Sequence, residues 1–504
     1  MKISKGFCAG LMLTGLLFTG LAESALADTS ALWGVNGEKW SPTSRLPDFS
    51  FAGYRSGEAP IPTPPVKGNV RDFGAKGDGV TDDTAAFVRA VEAVNNGAIL
   101  VPAGRYKITE VLYIRKPNVV LRGAGTDKTT LFFPRALETI KPNTGATTGG
   151  RPTSNYSWSG GLVWVAGTPE GANLGNVKTY ASRGTFLLEI ETPAKVKAGQ
   201  RIEILQEDAA DKSLLNHLYA GQTGDTSKIA VAKTSFVSRV IGVESTRLRL
   251  ERPLRTDIDP RWKARVRIFQ PSVTEVGIEN LTFEFPNTPY GGHFTEPGYN
   301  PLTFLGAADC WARNLRIVNA DSGPFLKGNF ITVENIVYES QRTPDKAGNQ
   351  GHHGFTLGDD TLFQNFDFRF RFVHDISVEN GSSGSVAAHG RGVDMCFDNH
   401  KRFPYSNLYT DIDIGAGTRM YSSGGGDALG LHSAAWTTFW NIRAARPQKW
   451  PGADYGPDLM NLVGLKSKSP PLVDTKGRWF EPIAPAQLQP QNLYEAQRRR
   501  RLKK

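Results

Sequence analysis

Glu279-Asn280-Leu281-Thr282-Phe283 is the first of six related phrases in this 504-residue chain. Each is an Asn followed by an apolar residue, usually one residue before another apolar one. The others are Arg313-Asn314-Leu315-Arg316-Ile317, Glu334-Asn335-Ile336-Val337, Gln364-Asn365-Phe366-Asp367-Phe368, Ser406-Asn407-Leu408-Tyr409 and Trp440-Asn441-Ile442-Arg443, at Asn-to-Asn steps of 34, 21, 30, 42 and 34 residues. A helical array would show a 3.6-residue period instead of alternation, and a hairpin sheet would repeat faster. Short alternating strands separated by Gly, Asn and Asp turns of variable length fit a coiled parallel sheet. Coils stacked about 4.8 Å apart would bury one continuous column of inward apolar side chains that no single coil could bury alone. The recurring Asn is expected at a tight bend, its amide bonding its own backbone and the Asn one coil away.

Working outward toward the N-terminus, the most specific signal is Asn69-Val70-Arg71-Asp72-Phe73-Gly74-Ala75-Lys76-Gly77-Asp78-Gly79-Val80-Thr81-Asp82-Asp83-Thr84. A helical face follows, with Phe87, Val88, Val91 and Val94, and Asp82 or Asp83 is placed to cap it. A strand, Ala98-Ile99-Leu100-Val101-Pro102, comes next, and the section closes with Val119-Val120-Leu121-Arg122-Gly123-Ala124-Gly125. These residues, 68 to about 125, resemble the N-terminal signature of the pectate-lyase-like superfamily, which includes polygalacturonases, rhamnogalacturonases, exo-glucanases and phage tailspikes. The resemblance implies an all-β fold: a right-handed parallel β-helix with a short N-terminal capping helix that closes the open first coil. Asp72, Asp78, Asp82 and Asp83 are read as turn and cap residues. The motif speaks to fold and not to chemistry.

The rest of the chain divides around this frame. Residues 1–27, with Lys2 and Lys5, an apolar run from Phe7 to Leu21 and Ala25-Leu26-Ala27, read as a cleavable signal peptide, so a periplasmic or secreted protein without a transmembrane anchor is expected. Residues 28–67 read as an extended, Pro-rich N-terminal arm, 68–137 as the cap and first coils, and 273–450 as the main coils. Between them, 138–272 reads as a β-rich insertion with half-buried antiparallel strands. Its Tyr156, Trp158 and Trp164 have faces suited to sugar rings, and ordinary packing serves them equally well. Residues 451–504 read as a C-terminal extension, partly disordered, ending in a flexible basic tail.

Charge and cysteine content exclude some classes. Of the formal charge of +10, the first 27 residues hold +1 and the last seven hold +6, so the body keeps only +3. Nucleic acid is a poor partner for an exported chain without interleaved aromatic and basic residues. Cys310 and Cys396 are too few for a disulfide framework and are read as buried thiols, with a single bridge between them as the lesser alternative.

Six of the eight histidines lie between positions 352 and 432, amid Asp, Arg and Lys. A stacked-coil groove that gathers such residues suits a chain-like glycan, and two chemistries are open. β-Elimination from a uronic acid needs a base at the proton next to the carboxylate and cations for the developing anion. His389, Arg391, His400, Lys401 and Arg402 are suitable types, and His352 and His353 stand nearby. Hydrolysis needs paired carboxyls, for which Asp359, Asp360, Asp375, Asp394 and Asp398 are available. Asp375 and Asp411 read as turn caps, His432 as a core histidine, and Trp436, Trp440 and Trp450 as a roof over the last coils.

Gly358-Asp359-Asp360, then His389-Gly390 and Arg391, resemble the polygalacturonase motif order. Ala388 stands where the Gly before His belongs, however, and Asn349-Gln350-Gly351-His352 replaces the Asn-Thr-Asp-Gly segment, so those roles are not carried over. No cofactor is called for. A divalent cation such as calcium is compatible with the Asp and His residues, but no spacing matches a closed zinc site. The density of His, Arg and Lys favours a polysaccharide lyase over a glycoside hydrolase, and a non-catalytic glycan-binding or surface-assembly protein is the third reading.

Overall fold

The computed structural model describes Met1 and residues 28–148, 150–468 and 477–503; the expected signal peptide lies outside the described residues except for Met1. The chain is a right-handed parallel β-helix. Its largest sheet climbs from Val66–Asn69 through Gly97–Val101, Val119–Gly123, Gly277–Glu284, Trp311–Val318, Thr332–Glu339, Leu362–Phe368, Val386–Gly392, Leu408–Asp413 and Thr438–Arg443 to Asn461–Val463 and Trp479–Glu481. A second parallel sheet stacks Leu112–Ile114, Val163–Ala166, Leu302–Ala308, Phe325–Asn329, Gly351–Leu357, Phe372–Val378 and Phe397–Asn399.

The Asn phrases mark a corner within the large sheet. Gly277–Glu279 pairs with Val120–Arg122, whereas Thr282–Glu284 pairs with Thr130–Phe132, so one strand serves two runs of the coil below. The bend falls on Asn280, at φ 61°, and repeats at Asn314 (53°), Asn335 (58°) and Asn365 (56°). This left-handed conformation is unfavourable for most side chains, and Asn tolerates it through its short polar amide. Asn314 Nδ2 donates to Asn280 Oδ1 (2.8 Å), and Asn335 Nδ2 donates to Asn314 Oδ1 (2.9 Å). In the coils above, the corner is taken by His389 (51°), Asp411 (56°) and Asn441 (56°), as the flanking register shows. Asn407 is outside this column. Its amide accepts from Ser385 N (3.0 Å) and donates to Ser382 O (2.9 Å), so it braces a turn below its strand.

Inward side chains form the expected columns. Phe363 lies between Phe355 and Phe366, with ring centroids 3.8 and 4.3 Å away, and Tyr409 stacks on Phe439 at 5.1 Å. Gly390 holds the inward place after the His389 corner, because a side chain there would run into the Phe366 ring. Cys310 and Cys396 are buried and unpaired. The helix Thr84–Ala93 turns Ala86, Phe87, Ala90 and Val91 onto the first coils. Asp82 accepts from Thr84 N (3.1 Å), while Asp83 accepts from Lys76 N and Gly77 N, tying the preceding loop to the cap. Asp78 accepts from Val80 N and Thr81 N in its own turn.

Three expectations about the flanking segments need correction. The first is the start of the insertion. Val163–Ala166 pairs in parallel with Leu112–Ile114 and Leu302–Leu305, and Val163 and Val165 enter the core, so this segment is a coil of the stack. The antiparallel sheet spans Asn173 to Ile268 and has its own core of Leu188, Ile202, Ile204, Val240, Leu248 and Val266. The second is the arm, which is folded and not merely extended. Trp33, Leu46 and Phe49 pack with Leu362, Val386, Leu408 and Trp440 over the outer face of the large sheet.

The third is the C-terminus. Asn461–Val463 and Trp479–Glu481 extend the sheet, and Leu493–Leu502 is a helix. The basic tail is held down: Arg501 pairs with Glu58 (3.0 Å) and donates to Ser50 O (2.9 Å), and Arg500 lies over Trp40 at 5.2 Å. Local composition could not reveal these contacts, because their partners lie more than 400 residues away. Among the described residues no helix is long and apolar enough to cross a membrane.

The ladder makes a definite demand on its members. Replacing Asn314 by Ala removes two amide hydrogen bonds and leaves a Cβ residue in the left-handed region, a loss of about 2–4 kcal/mol. Asn314→Gly keeps the backbone freedom and should lose roughly half as much. Urea unfolding of both variants checks this, and equal losses would show that the backbone conformation is not the constraint.

Candidate functional site

Because the arm and the C-terminal helix cover the large sheet, the open surface with chemical potential lies over the second sheet. There a groove of about 760 Å³ is lined by His352, His353, His374 and His400, with His293 and Trp158 on its rim. The register places His353 beside His374, and Ser377 beside Asp398, on neighbouring coils. Simple alternation does not account for this face. His353 and Phe355 are two residues apart, yet the first lines the groove and the second is in the core; His374 and Ile376 repeat the pattern.

Asp398 is the hub. It is fully buried and accepts from Ser377 Oγ (2.7 Å) and Gly424 N (2.7 Å), and its Oδ2 lies 2.8 Å from His400 Nδ1. His353 Nδ1 is 3.0 Å from the same Ser377 Oγ. A continuous chain therefore runs His353, Ser377, Asp398, His400. Ring centroids of His353 and His374 are 4.9 Å apart, and those of His374 and His400 are 5.1 Å apart.

Burial works to raise the Asp398 carboxyl, but the fields of His374 and His400 and the His400 hydrogen bond outweigh it and hold the group well below the usual carboxylate range. For His400 burial favours the neutral ring, and the adjacent Asp398 carboxylate prevails and raises it. Burial and neighbouring imidazoles push His352 and His353 well below the ordinary histidine range. Burial takes His374 down to about 4. Arg402 and Lys228 add positive charge to the groove wall, the latter supplied by the insertion.

Of the residues singled out in the sequence, the fold brings together His352, His353, Asp398, His400 and Arg402. Lys401, at φ 61°, lies on the turn beyond His400 with its stem against Gly425 and does not line the groove. His389 and Arg391 are on the large sheet. His389 is a corner residue bonded to Asp411 (2.5 Å) and to Glu495 of the terminal helix (3.1 Å), and Arg391 pairs with Asp367 (2.8 Å). Asp394 accepts from Thr418 N and Oγ1, 24 residues further along the chain, and so ties its turn to the next coil.

Asp360 is buried against Arg252 (2.7 Å) and Arg255, anchoring the insertion to the coils, and Asp359 accepts from Ser383 N (2.9 Å). Asp375 accepts from Cys396 N and pairs with Arg419. His432 Nδ1 lies 3.2 Å from Asn399 O. Tyr156 is buried, Trp164 leans on Tyr113, and of these three aromatics only Trp158 reaches the groove.

Sequence reasoning gave no site role to His374, His293, Lys228 or the buried Glu296. His374 had a usable signal, since it stands 21 residues after His353, the interval of one short coil. His293 and Lys228 lie on connections whose course no periodicity reveals.

Residues 68–153 match the family model for rhamnogalacturonase A/epimerase, pectate lyase-like. Mannuronan C5-epimerase AlgE5 of Azotobacter vinelandii is 34% identical over 100 residues, which is 18% of this chain and 10% of that protein. Alginate lyase 7 of the same organism is 40% identical over 72 residues, 12% of this chain and 8% of its own. This chain thus spans about a tenth or less of these relatives. Among solved structures, the tailspike protein gp49 from Pseudomonas phage LKA1 aligns over 79% of this chain and 68% of its own, at 11% identity and a TM-score of 0.45. The AlgE4 A-module of Azotobacter vinelandii aligns over 82% and 83%, at 14% identity and a TM-score of 0.27. Residues 68–153 carry the pectate-lyase-like signature, and the chain's own strand order is that of a parallel β-helix.

The placement of Asp359 yields a pH prediction. Burial and the adjacent Asp360 charge push its carboxyl up to about 7. The folded chain therefore keeps a proton that the unfolded chain releases near pH 4, and this group's contribution to stability falls as pH rises from about 4 to 7. Calorimetry should find Asp359→Asn gaining in Tm relative to the parent between pH 5 and pH 8. An unchanged difference across that range would mean that Asp359 is ionised throughout.

Proposed function

We propose that the protein cleaves a uronic-acid-containing polysaccharide by β-elimination in the histidine-lined groove. The observation that carries this reading is the hydrogen-bonded chain from His353 through Ser377 and Asp398 to His400, set across three neighbouring coils beside Arg402 and Lys228. His353 removes the C5 proton. The electron pair forms the C4–C5 double bond as the C4–oxygen bond breaks, and His400, oriented by Asp398, returns a proton to the leaving oxygen. Arg402 and Lys228 face the substrate carboxylate, where negative charge grows during proton removal.

The mannuronan and alginate named in the Azotobacter relatives are consistent with an acidic glycan, although the shared stretch is short. Hydrolysis has less support, because Asp359, Asp360, Asp375 and Asp394 are engaged in holding turns and the insertion.

The test is incubation with acidic and neutral polysaccharides. Ultraviolet absorbance from an unsaturated uronate is expected. Reducing ends without it would indicate a hydrolase, an altered uronate without cleavage an epimerase, and retention alone a binding protein; each would overturn the lyase reading. His353→Ala and His400→Ala should each lower turnover at least about 100-fold with the fold intact. Arg391→Ala, on the other sheet, should stay within about twofold of the parent, as expected for an exposed residue outside the groove.

A further inference from the structure

We infer that His293, His352 and His374 form a site for one divalent transition metal of the imidazole-preferring kind, represented by zinc, open to the groove. Three separate segments converge here: the connection after Glu284 and the strands Gly351–Leu357 and Phe372–Val378. One ring nitrogen from each histidine lies within 4.8 Å of the others. The His293 ring meets that of His352 edge-on at 4.5 Å.

The second observation is independent of clustering. His352 is 1% exposed and His374 6%, and none of their four ring nitrogens has a hydrogen-bond partner. Buried polar groups are rarely left unmatched, because each costs about 1–3 kcal/mol. Carboxylates also stand behind both rings. Glu296 Oε2 is 3.4 Å from His352 Nδ1, and Asp398 Oδ2 is 3.5 Å from His374 Nδ1. Glu296 is itself buried, held by Tyr290 OH (2.5 Å), and its Oε2 has no hydrogen-bond partner. Carboxylate behind imidazole is the arrangement that orients metal-ligating histidines, and it turns the Nε2 atoms toward the ion. By contrast His353 and His400 already engage Ser377 and Asp398 through Nδ1.

The donor set decides the metal class. Three imidazoles and no first-rank carboxylate suit zinc and its transition-metal neighbours, whereas calcium requires oxygen ligands, so the calcium compatibility read from the sequence does not extend to this site. Nitrogens around a tetrahedral zinc stand roughly 3.3 Å apart. The trio must therefore close by at most about 1.5 Å, and the exposed loop of His293 can bring its ring toward the other two. Three protein ligands leave a fourth position facing the groove, for water or a glycan oxygen.

The experiment uses the full chain stripped with EDTA. Equilibrium dialysis against Zn2+ should give one tightly bound equivalent that excess Ca2+ does not displace, a raised Tm, and a cobalt-substituted form with visible d–d absorption. His293→Ala, at an exposed position that leaves the core intact, and Glu296→Gln should each weaken zinc at least about tenfold. His352→Gln and His374→Gln should abolish the site, and His432→Gln should retain it. No stoichiometric zinc, displacement by calcium, or unchanged affinity in His293→Ala would overturn the inference. Zinc bound by a chain that turns over no polysaccharide would support the site and count only against the lyase reading.

Discussion

The left-handed corner of each coil is the constraint on which the architecture depends. A strand that must pass from one run of its coil to the next within a single residue needs positive φ there, and in successive coils that residue must stack on its counterpart. Asn meets both needs, since its amide supplies a donor to one coil and an acceptor to the other. Where the column departs from Asn it keeps the same logic with charge: His389 and Asp411 occupy consecutive corners and pair with each other. A histidine that looks catalytic in the sequence is thereby explained as a structural rung.

The termini then decide which face of the stack is free. The arm lays Trp33, Leu46 and Phe49 on the outer face of the large sheet, and the C-terminal helix locks over the arm through Gln497, Arg500 and Arg501. Coils that would otherwise present apolar Leu362, Val386 and Leu408 to water are sealed. The insertion is fastened on another side by the buried contacts of Arg252 and Arg255 with Asp360. Breaking such a buried cluster costs roughly 3–5 kcal/mol, so the fastening is strong even though its formation is offset by desolvation.

What remains open is the groove, where the rules of a stable interior are relaxed. Five histidines meet around Asp398 and Glu296, several with nitrogens unsatisfied, at the point where alternation breaks in two adjacent strands. A fold built only for stability would fill this space with apolar side chains, as it does one layer further in. Polar groups buried at a cost beside an accessible channel support the functional reading proposed for the groove.

The sequence by itself determined the coil. Alternation, the recurring Asn and the Asn69–Thr84 signature are local properties, and they specify stacked parallel strands, a cap and a large β-rich insertion. It also supplied five of the groove residues, because a cluster of histidines within about eighty positions survives folding into adjacent coils. Only the tertiary structure decided which titratable residues share a surface. His352 and His389 are 37 positions apart and similarly polar, yet they belong to different sheets, because each coil divides its residues among faces at corners of variable spacing. Glu296, Lys228 and the clasp between the two ends of the chain arise from contacts across separations that no periodicity encodes.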